Sequence, residues 1–145
     1  MLVYLDNCVL NRPFDDQEQQ RIREETEAVE TIREMAETAL IKLVWSYVIE
    51  FENSRNPVTE RSDGVLSWKN LSLVEIGPSA QIDSFATKLT SQGIKEFDAL
   101  HLACAIESES SYFVTTDDAI LKRSKTIKQL IILGPVDFVK EVKAQ

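Results

Sequence analysis

The chain has 145 residues, 43% of them hydrophobic and 28% charged, which suits one globular domain with a full core and leaves no apolar run able to span a bilayer. A formal charge of -8 argues against broad attraction to nucleic acid, because that attraction comes from Lys and Arg releasing counterions from phosphates. Carboxylates gathered in one pocket would change this locally, since two divalent cations held there would bring -8 to -4.

Met1 to Leu5 opens in an apolar strand-like segment without a basic flank or small-residue cleavage site, so no export leader and a cytoplasmic location are expected. The two cysteines, Cys8 and Cys104, lie far apart in apolar contexts and are expected to be reduced core residues. Leu2 to Leu5 reads as a buried strand ending at Asp6, followed by a turn-like segment from Asn11 to Asp16. From Gln17 to about Leu40, Ile22, Val29, Ile32, Met35, Ala36 and Ala39 follow the helical period, with Asp15 or Asp16 as the expected cap. Ile41 to Trp45 is a second strand, and Ser46 caps a helix from Tyr47 to about Ser54 that stops near Asn56 and Pro57.

Val58 to Leu71 reads as short helical pieces interrupted at Asp63 and Gly64, and Leu73 to Ile76 as a third strand. After Gly77 and Pro78, Ile82, Phe85, Ala86 and Leu89 mark an amphipathic helix ending at Gly93. Phe97 to Ile106, apolar apart from Asp98 and His101, is a helix buried on most sides. Tyr112 to Thr115 and Leu130 to Leu133 are further buried strands, with helices beginning near Asp117 and Val136. Strands alternating with helices predict a three-layer α/β/α sandwich around a parallel sheet of about five strands, in one domain over residues 1–145.

Asp98 is the most informative residue, because a carboxylate in an apolar run must become neutral, find a cation or bind a metal. Its bland alternative is a helix-start acid capping amides or pairing with Lys95. Asp6 and Asp117 each follow a parallel strand, and ligands of such sheets gather outside the carboxyl ends of the strands. Two like charges ~4 Å apart repel by ~4 kcal/mol at an effective dielectric of ~20, so three acids in one space call for protons or cations. Oxygen ligands without a His or Cys cluster favour Mg²⁺ or Mn²⁺, and the matching chemistry is metal-assisted phosphodiester hydrolysis. Glu50 and Glu52 lie ~200° apart on a helix, so only one of them can join the pocket. Asp117 and Asp118 pose a similar choice, either being a candidate helix cap.

Taken together, Val3-Tyr4-Leu5-Asp6, the serine-led segment reaching a glutamate, Asp98-Ala99-Leu100-His101-Leu102-Ala103 and Val114-Thr115-Thr116-Asp117 resemble the PIN-domain family over nearly the whole chain, and within it the VapC-type toxin ribonucleases. The resemblance implies a divalent-metal-dependent endoribonuclease with Asp6, Asp98 and Asp117 as metal ligands, direct or through water, and Thr115 as a polar neighbour of the site. It selects Glu52 over Glu50 as the fourth acid, by its distance from Ser46. Asn7 stands where the family usually has a hydroxyl residue, and with Arg12 and Thr115 it is expected near the RNA substrate. A small antitoxin protein and a homodimer are the implied partners.

Arg12 has an alternative in a salt bridge to Asp15 or Asp16, and His101 is expected to be a hydrogen-bonded packing residue. Lys122, Arg123, Lys125 and Lys128 are candidates to rim the groove, against a plain solvated face. Trp45, Trp68 and Tyr47 are candidates to stack bases, although aromatics at such positions are usually core. A receiver-like phosphorylation domain is disfavoured because Asp6 has no paired acid and no lysine follows the last strand. A haloacid-type phosphatase is disfavoured because Cys8 holds the place of its second acid. The closer rival is a catalytically inert PIN module that serves as a binding scaffold.

Overall fold

The computed structural model describes residues 1–145. Five parallel strands form one sheet: β1 (Leu2–Leu5), β2 (Lys42–Ser46), β3 (Val74–Ile76), β4 (Tyr112–Val114) and β5 (Ile131–Leu133), in the order β3-β2-β1-β4-β5. The central strand carries Val3, Tyr4 and Leu5, all buried, as expected of a strand covered on both faces. The chain first steps outward from β1 to β2 and β3, then crosses back to β4 and β5 on the other side of β1. Right-handed crossovers in opposite directions put their helices on opposite faces, which yields the three layers.

The helices are α1 (Asn7–Asn11), α2 (Gln20–Glu37), α3 (Tyr47–Ser54), α4 (Thr59–Leu66), α5 (Ala80–Ser91), α6 (Glu96–Glu107), α7 (Asp118–Leu121) and α8 (Pro135–Lys143). α2 packs on α8, and α5 on α6. The buried face of α2 is Ala28, Val29, Ile32 and Met35, and that of α6 includes Ala99, Leu102, Ala103 and Ala105. Trp45 and Trp68 are buried in the same apolar cluster, so they are not available to stack bases, and Tyr47 packs half-buried against it.

Several boundaries differ from the sequence reading. Helix begins earlier than expected, at Asn7, where the carboxylate of Asp6 accepts from the Asn7 amide at 2.8 Å. Neither Asp15 nor Asp16 caps α2, which starts after Gln19 without a side-chain cap. Both lie too far upstream: Asp15 pairs with Arg12 and Arg61, and Asp16 accepts from the Glu18 amide in a local turn. The Gln17 amide, donating to the Arg12 and Asp15 carbonyls at 3.1 and 3.0 Å, holds the intervening turn together. α2 stops before Leu40 because Ala39 takes a left-handed φ of 61°. Asp63 and Gly64 do not interrupt α4, and Gly93, at φ 93°, follows α5 as the glycine stop expected there.

Candidate active site

Asp6 and Asp117 stand at the carboxyl ends of β1 and β4, adjacent strands whose following segments run in opposite directions. Such a divergence opens a crevice in a parallel sheet. The cleft here has a volume of about 610 Å³, and Asp6, Asn7, Glu52, Asp98, His101 and Asp117 contribute to its wall. Glu52 comes from α3 and Asp98 from the first turn of α6, so four separate segments supply the acids.

The acids are held differently. Asp6 is 5% exposed, and its second oxygen accepts from the Thr115 hydroxyl at 2.8 Å. The fully buried Thr115 Oγ1 also accepts from the Asp117 amide at 3.0 Å, so one hydroxyl ties the ends of β1 and β4 together. Asp117 caps α7 by accepting from the Ala119 amide at 2.8 Å, and it lines the cleft as well. Asp98 makes no hydrogen bond or ion pair within the chain, to Lys95 or to any other group. Burial, followed by the charges of Asp6 and Asp117, pushes its carboxyl up to about 6, against a weaker pull from His101 and Lys95. It is half-buried on the cleft wall rather than enclosed in apolar packing.

Glu52 is bonded to His101 Nε2, which also lies 3.8 Å from Asp6. On the other side of the ring, Nδ1 meets the Tyr4 hydroxyl at 2.7 Å, and that hydroxyl meets Ser46 Oγ at 2.6 Å. With Nε2–H donating to Glu52, neutral His101 accepts from Tyr4 and charged His101 donates to it. The two hydroxyls rotate to suit either state. Burial pulls the His101 pKa down, but the Glu52 hydrogen bond and the charges of Asp6, Glu52 and Asp98 outweigh it, so the net shift is upward. The histidine is thus buried and hydrogen-bonded as expected, with an added role the sequence did not signal: it braces an acid of the cleft.

The remaining candidates separate clearly. Glu50 faces away and binds Lys69 at 2.7 Å. Asp118 is exposed and pairs with Arg21 at 2.9 Å. Arg12 is not on the cleft wall: it pairs with Asp15 at 3.0 Å and lies 3.2 Å from Glu25, close enough for charge attraction but off hydrogen-bond geometry. None of Lys122, Arg123, Lys125 and Lys128 lines the cleft, and Arg123 instead donates to the Gln92 carbonyl at 2.7 Å. The basic residue that does line it is Arg61, fixed by Asp15 at 3.1 Å and by the Phe14 carbonyl at 2.7 Å. Sequence spacing carried no sign of this, because the contact joins segments 46 residues apart. Both thiols are free; Cys104 is buried and Cys8 is half-buried beside Asp6, its thiol pushed up to about 12 by burial and by that charge.

No three His, Cys, Asp or Glu side chains converge on a point where they would enclose one ion. The acids line an open cleft, an arrangement that fits a hard cation held by one or two carboxylates and several waters better than a caged ion. The unpartnered oxygens of Asp98, and the repulsion it feels from Asp6 and Asp117, fit a cation in the same way.

These features define a three-layer α/β/α protein with an acidic cleft at the switch point of its sheet. The chain belongs to the PIN domain family, whose model matches residues 3–125. Among solved structures, its fold is similar to a chain in the crystal structure of VapBC2 from Rickettsia felis bound to a DNA fragment from their promoter. That match has a TM-score of 0.58 and 18% identity, and covers 91% of this chain and 97% of the other. No curated protein sequence matches the chain.

Proposed function

We propose that this chain is a divalent-metal-dependent endoribonuclease and the toxin of a toxin-antitoxin pair. Membership of a family that consists typically of nucleases supports the general activity. The observation that carries the finer reading is the placement of Asp6, Glu52, Asp98 and Asp117 around one cleft. In this reading Asp6, Asp98 and Asp117 would hold Mg²⁺ or Mn²⁺, one or two of them directly and the rest through water. Such an ion supplies a more acidic water and positive charge for the phosphate oxygens when bound.

The chain's own residues do the rest. Asp6 and Asp117 are kept in register by Thr115, and Glu52 is fixed by His101, so the acids need little reorganisation when the substrate arrives. Asn7 offers its side chain at the cleft mouth for a sugar or phosphate oxygen, and Arg61 offers a guanidinium on the same wall. Thr115 acts through Asp6 and not on RNA directly, since it is fully buried. Arg12 acts at a distance, by positioning Asp15.

A small antitoxin partner is proposed from the likeness to a VapBC2 chain. A homodimer, a single functional domain and residence in the cytoplasm are part of the same proposal; no helix is long and apolar enough to cross a membrane. One observation favours a second reading, an inert PIN module: the acids do not close on a single point. RNA cleavage by purified protein with Mn²⁺ or Mg²⁺ separates the two readings. Cleavage abolished by chelator and by Asp98→Asn is expected; absence of cleavage with either metal would leave the inert module, and cleavage indifferent to both controls would mean that another site is responsible.

A further inference from the structure

Two aromatic rings stand in solvent beside the acidic cleft. Phe51 is 45% exposed and Phe97 42%, and their rings stack at 5.9 Å between centroids with 15° between planes. Phe51 immediately precedes Glu52 on α3, and Phe97 immediately precedes Asp98 on α6. The same two helices are joined inside by Glu52 and His101, so the aromatic pair, which does not itself line the cleft, spans them on their exposed side. The Arg55 guanidinium lies over the Phe51 ring, 5.5 Å from its centre, and Lys95, exposed, stands two residues before Phe97 with the exposed Glu96 between them.

Leaving two large rings in water forgoes the gain of burying them, and exposed apolar patches of this kind mark binding surfaces. With Phe51 between Phe97 and the Arg55 guanidinium, the outer face of Phe97 suits the planar ring of a ligand whose phosphate Arg55 can reach. On a chain with a formal charge of -8, the pairing of cations with this patch favours an anionic occupant over a second copy of the same acidic chain. We infer that Phe51 and Phe97 form a stacking platform for an unpaired nucleobase of single-stranded RNA, with Arg55 and Lys95 facing its phosphates and the strand continuing into the acidic cleft. The inference rests on the nuclease reading for its choice of RNA. It is a substrate subsite that the buried Trp45 and Trp68 cannot provide.

The test is binding of a short single-stranded RNA carrying one 2-aminopurine, followed by its fluorescence in chelator, with an abasic RNA of equal length for comparison. Stacking is expected to quench the probe. Phe51→Ala and Phe97→Ala are expected to weaken binding roughly 5- to 100-fold and restore fluorescence, with Phe97→Trp retaining both and abasic RNA little affected. Equal weakening of the abasic RNA, unchanged affinity in the alanine variants, or no quenching by the wild type would each overturn the platform. A dimer that becomes monomeric in the alanine variants while RNA affinity stays constant would assign the patch to self-association instead. Quenching without cleavage when Mn²⁺ is supplied would sink the nuclease reading and leave the platform standing; cleavage with the same KM in the alanine variants would do the reverse.

Discussion

At the level of single residues, the cleft is a set of carboxylates kept in place by neutral donors. Thr115 bonds Asp6 and receives the Asp117 amide while fully buried. Thr115→Val therefore removes the strongest donor to Asp6 Oδ2 and the acceptor of the Asp117 amide, and a loss of about 1–3 kcal/mol in urea unfolding is expected, together with reduced activity; a neutral result would show that Thr115 does not organise the site. Asp98 behaves in the opposite way. Folding raises its pKa from the ordinary 3.8 to about 6, so the folded chain holds this proton more tightly than the unfolded chain. Its contribution favours the fold below pH 3.8 and is lost as pH rises through about 6, with solvent screening limiting the size. In chelator, the melting temperature of the wild type is expected to fall over this interval more than that of Asp98→Asn. The same variant is expected to lose at least ~100-fold in metal-dependent cleavage. Indistinguishable melting profiles would show that Asp98 is not under electrostatic load. That Asp98 stands alone in an apolar run was legible in the sequence. That it lies half-buried on a wall, next to an exposed Phe97, was not, because which face of α6 meets the cleft depends on α3.

Among the elements, two serine caps make a controlled comparison. Ser79 caps α5 by accepting from the Ile82 amide at 3.1 Å, and Ser46 caps α3 by accepting from the Ile49 amide at 3.2 Å. Ser46 is also completely buried against the Tyr4 hydroxyl. Ser79→Ala is expected to cost about 1 kcal/mol, and Ser46→Ala about 2–4 kcal/mol with loss of activity, because it removes a cap and strips Tyr4 of a partner in the chain that ends at Glu52. Equal costs would mean that the Ser46–Tyr4 bond adds nothing. The Ser46 cap was readable from local pattern, as were the alternation of strands and helices and the glycine stop after α5. The start of α1 and the true beginning of α2 were not readable. α1 starts at a local cap that its strand-end position hid, Asp6 accepting from the Asn7 amide. The entry into α2 is held by ties across the chain, Arg61 to Asp15 over 46 residues and Arg21 to Asp118 over 97. No periodicity announces such pairings.

Over the whole molecule, charge and topology act together. A formal charge of -8 is compatible with a phosphate-handling cleft only if cations enter it. Mg²⁺ is therefore expected to raise the melting temperature, by the equivalent of about 2.7 kcal/mol at a hundredfold excess over Kd, and Asp98→Asn is expected to shrink that rise. A flat response to the metal in the wild type would remove the ion from the proposal. The strand order has a consequence for synthesis on the ribosome. Asp6 and Glu52 precede β3, Asp98 lies on α6 within the crossover from β3 to β4, and Asp117 follows β4, so the last acid joins the others only when β4 inserts beside β1. A growing polypeptide emerging from the exit tunnel thus lacks the fourth of its acids until the strand from Tyr112 to Val114 is in place. In the proposed toxin the cleft therefore stays incomplete until β4 docks, and a partner that captures the unfinished sheet has an interval in which to act.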